Sequence, residues 1–122
     1  MDATNPLLPR VAGLSVANTS SGAELVASWA PGARVVKAFD TVGYNIIEDS
    51  SFSQGAAVLF YCGDDTGAKQ AVAPLITELG FNAMDAGSLQ QSRLLEPFAL
   101  LWIKLALQQR LGRDIAFQLM QR

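Results

Sequence analysis

One stretch decides the fold of this chain: Gly55-Ala56-Ala57-Val58-Leu59-Phe60-Tyr61-Cys62-Gly63-Asp64-Asp65. Its seven middle residues are all apolar and rich in the β-branched and aromatic side chains that favour strands. A glycine stands at each end, and Asp64 or Asp65 is placed to cap a following helix. The pattern predicts a buried strand that leads directly into a helix, as in α/β proteins.

The sequence on both sides extends this pattern. Downstream, helical spacing recurs at Ala68, Val72, Leu75, Ile76 and Leu79. Pro74 should kink that helix and Gly80 should end it. Residues 81–85 then predict another strand. Upstream, residues 34–39 form a short β-branched run that predicts a buried parallel strand.

The two ends of the chain are less regular. The two Asn-Pro and Leu-Pro pairs near the N-terminus predict a loop over residues 2–20. Ser21 and Glu24 have the spacing of a capping box, which predicts a helix over 22–29. Residues 43–55 show no clear period and predict an irregular excursion, in the kind of loop that often carries function.

The C-terminal tail is mainly helical in prediction. Residues 94–107 are apolar nearly all round, which indicates burial on more than one side, with Phe98 and Trp102 in core or oligomer contacts. Gly112 is placed to end the helix, and the alternation over 115–120 predicts a final edge strand. We therefore expect one α/β domain over 1–122, with a partial Rossmann-like, three-layer parallel sheet and right-handed crossovers.

Composition excludes several classes of function. A net charge of −2 leaves no basic field for nucleic acid. The absence of histidine and the single cysteine argue against a metal enzyme and against a histidine-activated nucleophile. Cys62 can form no intramolecular disulfide, which favours a buried thiol in a reducing, cytoplasmic setting. No apolar run approaches the ~18 residues of a membrane helix.

Several blocks of the chain occur in the order typical of one family. They are Asp2-Ala3-Thr4-Asn5-Pro6-Leu7, Ser21-Gly22-Ala23-Glu24, residues 34–43, Cys62-Gly63-Asp64-Asp65, Leu94-Leu95-Glu96-Pro97 and Ile115-Ala116-Phe117. With these blocks the chain resembles the C-terminal part of the coenzyme F420-dependent NADP oxidoreductases, and it is also similar to the oxidoreductase domain of the six-transmembrane metalloreductases. The G-x-G-x-x-G turn that holds a pyrophosphate in such enzymes occurs nowhere in these 122 residues.

The resemblance implies where a cofactor would lie. It places Asn5 and Pro6 beside the nicotinamide of NADP, and Phe39, Asp40 and Thr41 near the nicotinamide and the deazaflavin. Asp40 stands where relatives usually carry asparagine. The aspartate replaces the donor amide of asparagine with a carboxylate, which only accepts hydrogen bonds. Asn5 and Pro6 have a structural alternative, as a tight turn before a loop, and so does Asp40, as a strand-end residue that caps a turn.

Other charged residues favour structural roles. Lys37 is interpreted as exposed or snorkelling, and Asp64 and Asp65 as helix caps rather than phosphate or metal ligands. Arg93 and Glu96 are a possible ion pair at the helix break before Pro97.

The functional prediction is an NADP-dependent oxidoreductase fragment with no catalytic acid or base of its own. Its cofactors would be NADP and a hydride partner, F420 or a flavin, with the nucleotide-binding half supplied from outside these residues. We expect a homodimer, because residues 34–39 would form an open sheet edge and helix 94–107 an apolar surface. The alternative is a non-enzymatic remnant or a homo-oligomeric assembly module.

Overall fold

A computed structural model describes all 122 residues, and it confirms the α/β class. The chain contains three strands and four α-helices, with 3₁₀ turns at Pro9–Val11 and Leu89–Gln91. The strands are β1 (Val36–Ala38), β2 (Val58–Gly63) and β3 (Asn82–Asp85); the helices are α1 (Gly22–Trp29), α2 (Tyr44–Glu48), α3 (Thr66–Glu78) and α4 (Ser92–Leu107).

The strands form one mixed sheet in the order β1-β2-β3. The β2–β3 pair is parallel, as predicted, but β1 pairs with β2 antiparallel, with Lys37 opposite Cys62. The prediction of a parallel strand over 34–39 was therefore wrong. Between β1 and β2 the chain forms only the five-residue helix α2 and otherwise irregular backbone, without the longer crossover helix that usually joins parallel strands.

Helices cover both faces of the sheet. Leu59 of β2 belongs to the main hydrophobic core with Val72 and Ile76 of α3. The next residue, Phe60, lies edge-on to Phe98 of α4, with ring centroids 5.7 Å apart. Because successive strand residues point to opposite faces, α3 and α4 lie on opposite sides, which gives the expected three layers.

Several local predictions need correction. Residues 43–55 are not irregular throughout, because they contain α2. The final edge strand over 115–120 does not form: this segment contributes one ladder-like bond, from the Val58 amide to the Phe117 carbonyl at 2.8 Å. Phe117 instead packs against Phe98, with ring centroids 4.5 Å apart.

The outer edge of β1 is partly covered by the start of the chain. The Asp2 amide donates to the Val36 carbonyl at 2.8 Å, and the Ala38 amide donates to the Asp2 carbonyl at 3.0 Å. The expectation of an open edge at 34–39 was therefore wrong where Asp2 pairs with Val36 and Ala38. This pairing brings residues 2–5 alongside β1, where the candidate site lies. None of the four helices has the length and hydrophobicity of a membrane-spanning segment.

Candidate functional site

The candidate site lies where the chain leaves β1. Phe39 has a φ of +67°, in the left-handed region that a bulky residue rarely adopts. This turn directs Asp40 and Thr41 into the protein, where they are 5% and 1% exposed. The Asn5 side-chain amide donates to the Asp40 carbonyl at 2.9 Å and so joins the N-terminal loop to this turn. The structure thus brings Asn5, Asp40 and Thr41 together.

The polar atoms at this turn are not satisfied by the protein. Both carboxyl oxygens of Asp40, the Thr41 hydroxyl and the Asn5 side-chain oxygen are buried without a hydrogen-bond partner. Buried polar groups in folded proteins nearly always have a partner, because desolvation without one costs roughly 1–3 kcal/mol per group. Three of these atoms lie on the turn and the fourth on Asn5 beside it, which makes this the largest group of unsatisfied buried polar atoms in the chain.

The ionisation of Asp40 follows from its surroundings. Burial raises the pKa of its carboxyl to about 7, against the opposing attraction of the Lys37 ammonium. The negative charges of Glu96 and Asp2 also raise this pKa. Asp40 therefore changes its charge close to neutral pH, unlike an ordinary aspartate.

The other two predicted contact residues frame this turn. Pro6 follows Asn5 and packs on α1, where a Cβ added to Gly22 would lie 3.3 Å from the Pro6 ring. Phe39 is half-buried and packs against the main core. Pro6 therefore lies next to Asn5 and Phe39 next to Asp40, each with its ring packed against the protein.

Directly behind the turn, Lys37 is the centre of a buried charge cluster. Its ammonium lies 3.1 Å from Asp2 and 2.8 Å from Glu96, and it also donates to the Thr4 carbonyl. The side chain is 0% exposed, so the interpretation of Lys37 as exposed or snorkelling was wrong. Burial lowers its pKa, but the Glu96 hydrogen bond and the nearby carboxylates more than offset this and keep the pKa above its usual value.

Asp2 completes the cluster on the side of the N-terminal loop. Burial raises the pKa of its carboxyl, but hydrogen bonds from Thr4 and the charge of Lys37 outweigh burial and hold the pKa below its usual value. The Thr4 amide and hydroxyl donate to Asp2 at 3.0 and 2.7 Å. Lys37 and Asp2 together fix the backbone that carries Asn5.

Glu96 joins the cluster to helix α1. Its carboxylate accepts from the Gly22 and Ala23 amides at 2.8 and 3.0 Å, at the positive end of the helix dipole. The expected pair between Arg93 and Glu96 does not form. Arg93 instead makes a two-pronged contact with Glu24, at 2.9 and 2.7 Å, because Glu24 lies at the surface while Glu96 is buried.

The sequence did not lead us to predict the buried charge cluster of Lys37, Asp2 and Glu96. A signal existed: Lys37 stands between Val36 and Ala38 in an apolar strand, and Glu96 stands in an apolar helix. Two opposite charges within apolar segments are candidates for a buried pair. The predicted helix caps at Asp65 and Ser21 are confirmed. Asp65 accepts a hydrogen bond from the Ala68 amide, and Ser21 accepts one from the Glu24 amide.

The remaining candidates are structural. Cys62 is 0% exposed, and burial raises the pKa of its thiol to about 12. Asp64 accepts from the Leu89 amide at 2.9 Å and so ties the end of β2 to the start of α4. No group of three or more carboxylate, thiol or imidazole side chains is arranged to hold a metal ion.

Comparison with known proteins shows that the chain is similar to two reductases. The chain is 35% identical over 86 residues to the F420-dependent NADP reductase of Methanocaldococcus jannaschii. It is 35% identical over 80 residues to metalloreductase STEAP3 of Rattus norvegicus. The chain is a homologue of these reductases. The matched segments are 70% and 66% of this chain but only 38% and 16% of the two relatives.

Solved structures show the same relationship in three dimensions. The fold matches a candidate F420-dependent NADP reductase from Arthrobacter sp. FB24 with a TM-score of 0.88 and 28% identity, over 98% of this chain and 56% of that one. A hypothetical protein from Sinorhizobium meliloti matches with a TM-score of 0.67 and 28% identity, over 99% of this chain and 54% of that one. No protein-family model matches the chain. The chain therefore spans little more than half of these structures and well under half of the curated relatives.

Proposed function

We propose that this chain is the substrate-side portion of an NADP-dependent oxidoreductase that passes hydride between NADP and F420 or a flavin. The observation that carries the proposal is the group of buried, unpartnered polar atoms on Asn5, Asp40 and Thr41. They lie at the two sequence blocks that resemble the cofactor-binding blocks of the reductases. The similarity to an F420-dependent NADP reductase supports the same chemistry.

Five residues would hold the reacting rings: Asn5, Pro6, Phe39, Asp40 and Thr41. Pro6 and Phe39 offer apolar contact, and the other three offer hydrogen bonds. NADP, when bound, supplies the hydride donor or acceptor, so that the protein need only position and shield the rings. In this proposal the charge cluster of Lys37, Asp2 and Glu96 holds the turn in position and does not contact the cofactor.

The nucleotide end of NADP would be held elsewhere. No glycine-rich pyrophosphate turn is present in these 122 residues, so the chain by itself should bind NADP no better than about millimolar, the level of a few scattered contacts. A micromolar dissociation constant in a calorimetric titration would contradict this. Under the proposal, full activity requires a nucleotide-binding half in addition to these residues.

A fusion protein tests the activity. The nucleotide-binding half of the Arthrobacter protein would be joined to the N-terminus of this chain, and reduction of NADP by reduced F420 would be followed by absorbance. We expect turnover from the fusion and a loss of about 10-fold or more on Asn5→Ala, since one positioning contact disappears. Asn82→Ala, on the exposed side of β3, is the matched control. A folded fusion that binds NADP without reducing it would refute the proposal.

A second candidate function, homo-oligomeric assembly, is favoured by the surface of α4. Leu94 and Leu101 are 67% and 48% exposed and lie seven residues apart on one helix face, with Phe98 between them. An apolar cavity of about 320 Å³ opens beside Phe60, Leu94 and Phe98. A seam of this kind suits a two-fold dimer. We propose a homodimer in the cytoplasm, a location supported by the single buried thiol.

A further inference from the structure

We propose that a cavity between the start of α2 and the end of α4 binds a small cyclic carboxylic acid. The cavity has a volume of about 200 Å³, and its lining includes Gly43, Tyr44, Trp102, Ile103, Leu107 and Arg113. Neither Asn5 nor Asp40 lines it, so this inference is independent of the proposed function and goes beyond it.

Trp102 forms a fixed wall of the cavity. Its indole nitrogen donates to the Ile115 carbonyl at 2.7 Å, so the one polar atom of the ring already has a partner. The opposite end of the indole packs on Gly43, where an added Cβ would lie 2.7 Å from the ring. Because the ring is held at both ends, it offers a ligand apolar contact at little cost in ordering.

Asn45 holds the two sides of the cavity together. It also belongs to the lining, and its side-chain nitrogen donates to the Arg113 carbonyl at 3.1 Å and to the Asp114 carboxylate at 2.9 Å. These two hydrogen bonds fix the tail of the chain against α2. The cavity is therefore formed before any ligand enters, as is usual for small-molecule sites.

Arg113 gives the cavity its charge. It is the only charged residue in the lining, and its guanidinium takes part in none of the ion pairs of the chain. The adjacent carboxylate of Asp114 is engaged by Asn45, and Glu48, one turn after Tyr44, does not line the cavity. An anionic ligand would therefore meet an arginine that has no competing partner.

Size and lining select a single ring. An apolar cavity of roughly 150 Å³ is large enough for benzene. This cavity is somewhat larger and is walled by Trp102, Ile103 and Leu107, so it can hold one six-membered ring with a short substituent. A system of three fused rings, such as a flavin, is too large. A carboxylate is the substituent that fits Arg113, because the planar guanidinium can bind it through two parallel hydrogen bonds.

The proposed dimer would leave this cavity open. Successive residues of an α-helix are about 100° apart around its axis, so Ile103 lies about 180° from Leu94. The seam of Leu94 and Leu101 is therefore on the other side of α4. Tyr44 and Leu107 are 65% and 48% exposed, so the cavity opens to solvent where these side chains line it.

The fluorescence of Trp102 measures binding directly. Trp29, the only other tryptophan, is 73% exposed, and Trp29→Phe leaves Trp102 as the single reporter in the full chain. Cyclohexanecarboxylate is the probe, since it does not absorb where tryptophan is excited. Cyclohexanecarboxamide is the matched neutral control, and cyclohexylmethylamine is the cationic one. We expect a dissociation constant of about 1 mM or tighter for the acid, and binding of the amide that is weaker by about fivefold or more.

Three arginine variants, each made in the Trp29→Phe chain, test the charge. Arg113→Glu reverses the charge at an exposed position whose backbone carbonyl, not its side chain, contacts Asn45, so the fold should be kept. We expect this variant to bind cyclohexylmethylamine more tightly than the acid. Arg113→Lys keeps the charge and should keep most of the affinity for the acid. Arg122→Gln is the matched control, because Arg122 also makes no ion pair and does not line the cavity, and its affinity should be unchanged.

Three results would overturn the proposal. An unchanged Trp102 emission at about 10 mM acid would show that the cavity does not bind it. Equal affinity for the acid and the amide, or equal affinity of the Arg113→Glu and Arg113→Lys chains for the acid, would refute the role of Arg113. Displacement of the acid by riboflavin would show that the cavity accepts a larger ring system and belongs to the hydride partner instead.

Discussion

Removal of the Glu96 carboxylate should be among the most damaging single changes in this chain. Glu96 is 1% exposed and accepts from Lys37 and from the amides of Gly22 and Ala23. Glu96→Ala would leave the buried ammonium with one carboxylate partner, Asp2, and would leave two amides at the start of α1 without acceptors.

The magnitude follows from these contacts. Removing one partner of a buried ion pair costs roughly 3–5 kcal/mol, and loss of a helix cap costs about 1 kcal/mol. Because Lys37 keeps Asp2, the pair term lies at the low end, and we expect Glu96→Ala to lower the free energy of unfolding by about 4 kcal/mol. That is a large share of the ~5–15 kcal/mol typical of a domain.

Urea denaturation followed by circular dichroism measures this change. Glu78→Ala is the matched control, because Glu78 is an exposed helical glutamate with no side-chain hydrogen bond, and its replacement should cost no more than about 0.5 kcal/mol. Glu96→Gln should fall between the two, since it keeps an acceptor but loses the charge. A Glu96→Ala midpoint equal to that of Glu78→Ala would refute the assignment of Glu96 as the link between the cluster and α1.

Three further predictions concern other residues. Burial raises the pKa of Asp40 to about 7, so folding takes up a proton between about pH 4 and pH 7 and this group reduces stability as pH rises through that window; Asp40→Asn should raise the free energy of unfolding by up to about 4 kcal/mol at pH 8 and hardly at pH 4, and urea unfolding with equal effects at both values would contradict this. Cys62 is fully buried with a pKa of about 12, so a thiol reagent should label it slowly in the native chain and rapidly in urea, and fast native labelling would show that β2 opens. Leu101→Glu should produce a monomer by light scattering, whereas Leu75→Glu, at a similarly exposed position on α3, should not; a folded wild-type chain of monomeric mass would end the dimer proposal.

The sequence predicted elements whose signals are local. The run before Gly63 is apolar without interruption and bounded by glycines, so β2 could be placed within two residues. The capping box at Ser21 and Glu24 gave the start of α1 correctly. In both cases the deciding interactions lie within a few residues of each other, where patterns of residue type carry the information.

Features that depend on distant parts of the chain could not be predicted in this way. The direction of β1 depends on its pairing with β2, which lies beyond α2, and the burial of Lys37 depends on Glu96, 59 residues away. The candidate site shows the same division. Resemblance indicated Asn5 and Asp40, but only the folded chain reveals that their oxygens are buried without partners.

The position of the Lys37 cluster has a consequence for the order of folding. Its bonds join residues 35, 59 and 74 positions apart, from Lys37 to Asp2, Lys37 to Glu96 and Gly22 to Glu96. Contacts this distant close large loops, and they tend to form after the local sheet and helices have assembled. Substitutions in the cluster should therefore accelerate unfolding and leave the refolding rate nearly unchanged. The lifetime of the native state, more than the speed of its formation, would depend on these side chains.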